Sequence, residues 1–458
     1  MTLDVRRLVR FFMLALALAF AAAQPVAAQS VLRDSETELL FRDMSKPLIQ
    51  AAGLNPASVK VVLIQDPEIN AFVATGQVVY IHTGLIAAAD NANQLQAVIA
   101  HELGHVAGGH AIRIYEGAGA ATKISILSLV LAAAAAAAGA GEAAMGVLAA
   151  GQQAALGNFL SFTRAQESSA DLAGANYLSK AGVNGEGSLE FFKKLGNQEF
   201  RLAIPQKDSY GRTHPLSSER IASLAQIYKA DPAWKRKTDP AIEARFQRVK
   251  AKLLGYIDPR RATALYPETD QSVPAHYARA YAYHRSAYPD KAAAETAALL
   301  KASPDDPFFL ELKGQVLLEG GRPAEAIAPL RLAVARAPDQ PMIAVMLGHA
   351  LIATEDQSKF PEAKQVLKNA VNRDNDNPFA WYQLGIIYDR EGDRARASLA
   401  TAERQNLEGQ TKLALAAARS ALMGLKAGTS DYLRAQDIAM VSETQLKKDK
   451  KHKRDDGK

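Results

Sequence analysis

The sequence predicts a mainly α protein with a small β-sheet, in which a mixed first half is followed by an all-α repeat solenoid. Three observations carry this reading. Alanine-rich stretches supply much of the 48% apolar content, which favours helices. Short β-branched runs sit close together in the first hundred residues, at 59–65 and 70–82. From about residue 274, small residues and prolines return at intervals of 34 to 37 positions. A chain of 458 residues exceeds one compact domain, and 22% charged residues exclude global disorder.

The elements follow in order. Residues 1–28 read as a secretory signal peptide. Arg6, Arg7 and Arg10 form its basic start, Phe11–Ala23 its apolar centre, and Val26 and Ala28 its small-residue cleavage site. This places the expected mature protein in the periplasm of a Gram-negative bacterium. Val59–Gln65 reads as a strand, and Asn70–His82 as a hairpin turning at Thr75-Gly76. Gln94–Tyr115 reads as one long helix, with Leu95, Val98, Ile99 and Leu103 at helical spacing. Residues 124–141 are uncharged. A single membrane crossing there would separate residues 101–105 from 167–171, so we expect 124–160 to form a helical hairpin that covers a cleft or rests on a membrane surface.

The expected organisation is a folded unit at 29–255, a linker at 256–273, repeats with capping helices at 274–446, and a disordered basic tail at 447–458. Within the repeats, Ala280, Gly314, Gly348 and Gly385 take equivalent places, as do Pro307, Pro341 and Pro378. Three extra residues fall near Glu355–Lys359. The run Trp381-Tyr382-Gln383-Leu384-Gly385 resembles the first helix of a tetratricopeptide repeat. Such arrays stack into a superhelix whose concave face binds peptides or proteins.

Composition narrows the chemistry. The chain has no cysteine, which excludes disulfide scaffolds, thiolate metal sites and cysteine nucleophiles. Any metal must sit on His, Asp or Glu. The net charge of +6 resides at the two ends. Arg6, Arg7 and Arg10 outweigh Asp4, and seven basic residues face three acidic ones in 447–458. The body is balanced, so the charge gives no argument for a nucleic-acid partner.

His101-Glu102-Leu103-Gly104-His105 is an HExxH motif on the expected helix. Positions i and i+4 share a face, so both imidazoles can address one ion. Glu102 lies about 100° round the helix from His101, suited to take a proton from a water without being a ligand. A His at the eleventh motif position would supply a third ligand, but Ala111 stands there and His110 is one residue early. The acidic alternative is Glu167, with Asp171 one turn later. Glu167 can complete a His2Glu set, and Asp171 can hold the far nitrogen of a ligand His.

Together Asn70-Ala71-Phe72, Thr83-Gly84-Leu85, His101–His105 with His110, Glu167–Asp171 and Thr213-His214-Pro215 resemble, in this order, the zinc metallopeptidases that include the CAAX prenyl proteases and HtpX-type membrane peptidases. The added repeats are similar to a periplasmic subgroup of that family. The resemblance implies a zincin-type domain, one Zn2+ per chain held by His101, His105 and Glu167, and Glu102 as catalytic base. It implies endopeptidase action on unfolded or misassembled polypeptides, with the outer-membrane assembly machinery as partner of the repeats. It also implies that Asn70, Ala71 and Phe72 lie along the cleft and pair with an extended substrate. A scaffold acting through the repeats without cleavage is the competing function class.

By the same resemblance, His214 falls where the family places a His near the metal. It then closes the open metal position or stabilises the oxyanion; a loop His before Pro215 is the plain alternative. Arg220 reads as a helix-face charge. His82 and His110 read as structural, and His276, His284, His349 and His452 are assigned nothing.

Overall fold

The computed structural model describes residues 30–74, 76–137, 140–202, 214 and 218–455. The expected signal peptide, Thr75, Thr213 and Pro215 lie outside these residues.

A four-stranded sheet has the order β1-β2-β4-β3, from β1 (Ser30–Val31), β2 (Lys60–Gln65), β3 (Ala71–Ala74) and β4 (Val78–His82). The β3–β4 pair is the expected antiparallel hairpin, with Gly76 at φ 91° in its turn. β2 and β4 run parallel, and β3 is left at the sheet edge. Phe72 on that edge stacks on Tyr80, with ring centroids 5.1 Å apart.

Around the sheet pack α1 (Ser35–Ala51), α2 (Thr83–Ala88) and α3 (Ala92–Gly108). Apolar side chains from all three join β2 and β4 in one core, including Leu40, Met44, Leu85, Leu95 and Leu103. Two long helices follow, α4 (His110–Ala137) and α5 (Gly141–Ala181), then α6 (Glu186–Leu202), α7 (Ser218–Ala230) and α8 (Pro240–Ile257). Phe246, Val249 and Leu253 of α8 complete the same core.

The expected single helix through Tyr115 is broken. α3 stops at Gly108, and Gly109 takes φ 62°, a left-handed conformation that ends the helix. α4 and α5 form the expected hairpin. α4 packs chiefly along α5, and the apolar side chains of 126–131 other than Ser128 stay exposed, so the hairpin extends outward instead of lying as a lid. The stretch 256–273, expected as a linker, holds α9 (Pro259–Leu265). Ala262 is fully buried against Ala251, Ala278 and Ala282, which ties α9 down.

The repeats are helix pairs: α10 (Val273–Arg285) with α11 (Pro289–Ala302), α12 (Pro307–Glu319) with α13 (Pro323–Arg336), α14 (Pro341–Ala353) with α15 (Phe360–Arg373), and α16 (Pro378–Arg390) with α17 (Arg394–Leu407). Proline opens most of these helices, where its missing N–H costs nothing. The small residues lie where the paired helices approach. A Cβ on Gly314 would fall 2.4 Å from Leu330, and one on Gly348 2.6 Å from Leu367. The three extra residues form the short turn Gln357–Lys359, entered through Glu355 at φ 58°. α18 (Thr411–Gly424) and α19 (Ser430–Asp455) cap the array. The tail expected to be disordered from 447 is helical through Asp455, because its Lys and Asp residues simply prolong α19.

The first unit docks along the repeat turns. Successive turns present an acidic residue to a basic one: Asp306 to Arg248 at 2.8 Å, Asp339 to Arg42 at 3.2 Å and Asp374 to Arg33 at 3.0 Å. Behind them Lys252 is buried between Asp34 at 2.8 Å and Glu36 at 2.9 Å. The exposed Arg42–Asp339 pair contributes little, whereas Arg248 holds Asp306 through two part-buried hydrogen bonds at 2.8 and 3.1 Å. The buried cluster ties α1 to α8 and reaches the repeats through the Tyr277 hydroxyl, which donates to Glu36 at 2.8 Å; removing a partner would strand a charge.

Candidate metal centre and active site

One close helix crossing builds the site. Asn91 caps α3 by accepting from the Gln94 amide at 3.0 Å. One face of α3 then meets α5 through glycine on both sides. A Cβ on Gly104 would lie 2.7 Å from the Ala170 carbonyl oxygen, and one on Gly174 would lie 3.1 Å from Ala100. This close crossing sets His101 and His105 of α3 opposite Glu167 and Asp171 of α5.

Four donor groups converge. His101, His105, Glu167 and His214 are all buried, and their donor atoms lie within 4.8 Å of one another. His101 Nε2 is 3.1 Å from His105 Nε2 and 3.3 Å from His214 Nδ1. Glu167 is 3.4 Å from each of His101 and His105, and both its oxygens are 3.1 Å from His214 Nδ1. A tetrahedron around an ion with ligands at about 2.0–2.1 Å has edges of roughly 3.3 Å. These five separations lie near that figure, and the nitrogen and carboxylate donors suit zinc.

The hydrogen bonds behind the donors fix their tautomers. His101 Nδ1 lies 3.0 Å from Asp171 Oδ1, so the carboxylate faces the far nitrogen of the ring and favours a proton there, with the Nε2 lone pair toward the centre. Arg220 in turn grips Asp171, with Nε to Oδ2 at 2.6 Å and Nη2 to Oδ1 at 2.9 Å, and reaches Glu167 at 3.2 Å. Arg220 is therefore no helix-face charge. No local pattern ties 171 to 220, so its role was illegible in sequence.

His110 also differs from its expected structural role. After Gly109 the chain turns so that the His110 ring lies under Gly108, where a Cβ would meet it at 2.3 Å. Its Nδ1 lies 2.9 Å from His105 Nδ1. With His105 Nε2 turned to the centre, His105 Nδ1–H donates to His110. The Gly108-Gly109 pair was the sequence signal for this turn. His82 stays a structural residue, buried 3.6 Å from Asp66.

The electrostatics favour a cation. Burial lowers the His101 pKa, but the hydrogen bonds to Asp171 and Glu167 outweigh it and raise it to about 10. Burial, with His101 and His214 nearby, pushes His105 down to about 2, so it stays neutral. Burial would raise Glu167, yet His101 and His214 hold it well below the usual carboxylate range. Glu102 is different. It is fully buried, neither oxygen has a hydrogen-bond partner among the described residues, and burial pushes its pKa up against the pull of His214 and His101. Glu102 Oε1 lies 3.6 Å from His214 Nε2.

Asp171→Asn should weaken metal affinity about 10- to 100-fold, as loss of an outer partner of a ligand His does. Chelator competition would read this directly, and an unchanged affinity would make Asp171 a purely structural partner of Arg220.

The comparisons with known proteins agree with this geometry. Residues 35–228 match the model of peptidase family M48. The β-barrel assembly-enhancing protease of Yersinia pestis is 26% identical over 386 residues, covering 81% of this chain and 76% of that protein. The protein of the same name from Escherichia coli is 27% identical over 385 residues, with the same coverage. Metalloprotease LoiP of Escherichia coli is 29% identical over 182 residues, 38% of this chain and 64% of that protein. Among solved structures, YrrB, a TPR protein with an unusual peptide-binding site, aligns with a TM-score of 0.31 and 21% identity over 39% of this chain and 92% of its own. The converging donors and the family match fall on the same residues, and the segment 35–228 is a metallopeptidase domain of family M48.

Proposed function

We propose that the chain is a zinc-dependent endopeptidase of the periplasm, acting on unfolded or misassembled exported polypeptides in outer-membrane protein quality control. The observation that carries this reading is the converging set of donors beside the buried carboxylate of Glu102, which has no hydrogen bond among the described residues. His101, His105 and Glu167 would hold one zinc ion. Zinc at this point supplies a Lewis acid that lowers the pKa of a bound water towards ~7. Glu102 takes the proton of the attacking water and hands it to the leaving amine. Asp171 and Arg220 keep His101 in the productive tautomer, and His110 does the same for His105. The β3 edge at Ala71–Ala74, with Asn70 and Phe72, offers backbone groups for an extended substrate to join as a strand. Residues 29–255 would make up the peptidase unit and 274–446 the repeat unit.

The test is cleavage of a purified unfolded outer-membrane polypeptide. Activity should vanish with a chelator and return with zinc. A zinc-loaded protein that leaves such chains intact over hours would overturn the assignment.

One observation favours the scaffold reading beside it. Phe379 and Tyr382 of α16 are about half exposed, and the His349 ring of α14 lies 5.2 Å from that of Phe379. This aromatic patch spans two successive repeats and suits docking of a partner from the assembly machinery.

A further inference from the structure

The α4–α5 hairpin has its apolar residues on the wrong side for water. Its contact seam is made of small residues. A Cβ on Gly151 would fall 2.0 Å from Ser128 Cβ, and one on Gly117 would fall 2.4 Å from the Phe162 ring. Ser128, Ala132, Ala144 and Ala155 are buried along the seam. The large side chains point outward: Ile126, Leu127, Leu129, Val130 and Leu131 are each more than half exposed. At about 100° per residue, Leu127 and Leu129 fall on the two flanks of α4 and Ile126 and Val130 on the side opposite Ser128. A partner protein would meet one face of a helix. Apolar side chains on three sides of α4 are met together only by a surrounding apolar solvent.

Two further features agree. Between Lys123 and Arg164 the sequence carries one charge, Glu142, beside the turn. Four hydroxyls of this region are also internally satisfied. Thr122 donates to Ala118 O at 2.8 Å, Ser125 to Ala121 O at 3.1 Å, Ser128 to Ser125 O at 2.8 Å and Thr163 to Leu160 O at 3.0 Å. Small residues at the seam with aliphatic residues outside are the arrangement of helices packed in hydrocarbon.

The two helices are not equivalent, and the difference sets the depth. His110–Ala135 is, among the described residues, a helix long and apolar enough to cross a membrane. α5 instead exposes Gln152, Gln153 and Asn158 among its apolar residues. A perpendicular crossing would bury these amides in hydrocarbon at high cost. A hairpin lying along the surface keeps them wet.

We infer that residues 124–135 of α4 lodge in the acyl layer of one leaflet of a phospholipid bilayer. α5 rides on the headgroup side, and the exposed Lys123 and Arg164 sit at the level of the phosphates. An in-plane helix of this kind enters about 5–10 Å. The inference needs neither the metal nor Glu102. It has a consequence for the active site, because α4 begins at His110 and α5 carries Glu167. α5 presents one of the four donors and α4 opens on the His110 ring that meets His105, so the site is held close to the membrane surface.

The absence of cysteine makes the test direct. Val130→Cys, Gln153→Cys and Tyr382→Cys, each in the full chain, would be labelled with an environment-sensitive fluorophore. Each is then mixed with vesicles of three parts phosphatidylethanolamine to one part phosphatidylglycerol. The probe at 130 should shift to the blue, brighten at least threefold and resist an aqueous quencher. The probes at 153 and 382 should change little. Leu127→Cys repeats the first measurement should Val130→Cys fold poorly. Equal, small responses at 127, 130 and 382 overturn the inference. So does a blue shift at 130 that needs no vesicles and grows with protein concentration, which would assign the face to a second copy.

Discussion

Replacing Glu102 by Gln is expected to lower kcat on an unfolded polypeptide about a thousandfold while zinc content stays at one ion per chain. The magnitude follows from the usual worth of a positioned general base, about 10²–10⁴ in rate. The selectivity follows from geometry. Glu102 is not among the converging donors, yet its carboxylate is fully buried and its oxygen lies 3.6 Å from His214 Nε2, at the rim of the donor cluster. The amide keeps the shape and removes the site of protonation. Turnover and metal analysis on the same sample check the prediction. A wild-type rate would remove Glu102 from the mechanism, and joint loss of zinc and activity would make it a ligand. The variant also separates the two function classes. Full rescue of an outer-membrane assembly defect by Glu102→Gln would put the biological weight on the repeats and their exposed aromatic patch.

What was legible in sequence was local or periodic. His101 and His105 share a helix face by spacing alone, and Glu167 and Asp171 repeat the same offset, so each pair could be read without knowing the other. Their meeting could not. It depends on Gly104 meeting Ala170 and Gly174 meeting Ala100 at backbone contact, and nothing in a one-dimensional pattern reports such pairings some 70 positions apart. His110 failed for a related reason. On an unbroken helix a residue five places after His105 points about 140° away, and only the turn at Gly109 brings it back. The repeats were legible because the period survives an insertion. Their docking was not, since Arg33 and Asp374 are 341 positions apart and a lone ion pair leaves no periodic trace.

His214→Ala is expected to raise peptidase activity about tenfold at constant zinc. His214 is buried, and its Nδ1 stands 3.3 Å from His101 Nε2 and 3.1 Å from both Glu167 oxygens, which is the place of a fourth tetrahedral donor. Its other nitrogen faces Glu102. With a metal held there, the ring would fill the space where the attacking water must lie between the ion and its base, and a chain in this state would be shut. A preference of only about 1.4 kcal/mol for the shut state leaves about one molecule in ten open, so removing the imidazole releases about tenfold. The effect should appear in kcat with KM nearly unchanged, because β3 and the repeats are untouched. A sharp fall in kcat with zinc retained would instead assign His214 to the oxyanion, since a donor lost from that position costs activity. An unchanged rate would return it to the role of a loop histidine. The sign of the change decides among the three, and His214→Gln sharpens the choice. Its amide can donate to an oxyanion but binds zinc poorly, so a rise in both variants is the signature of a gate.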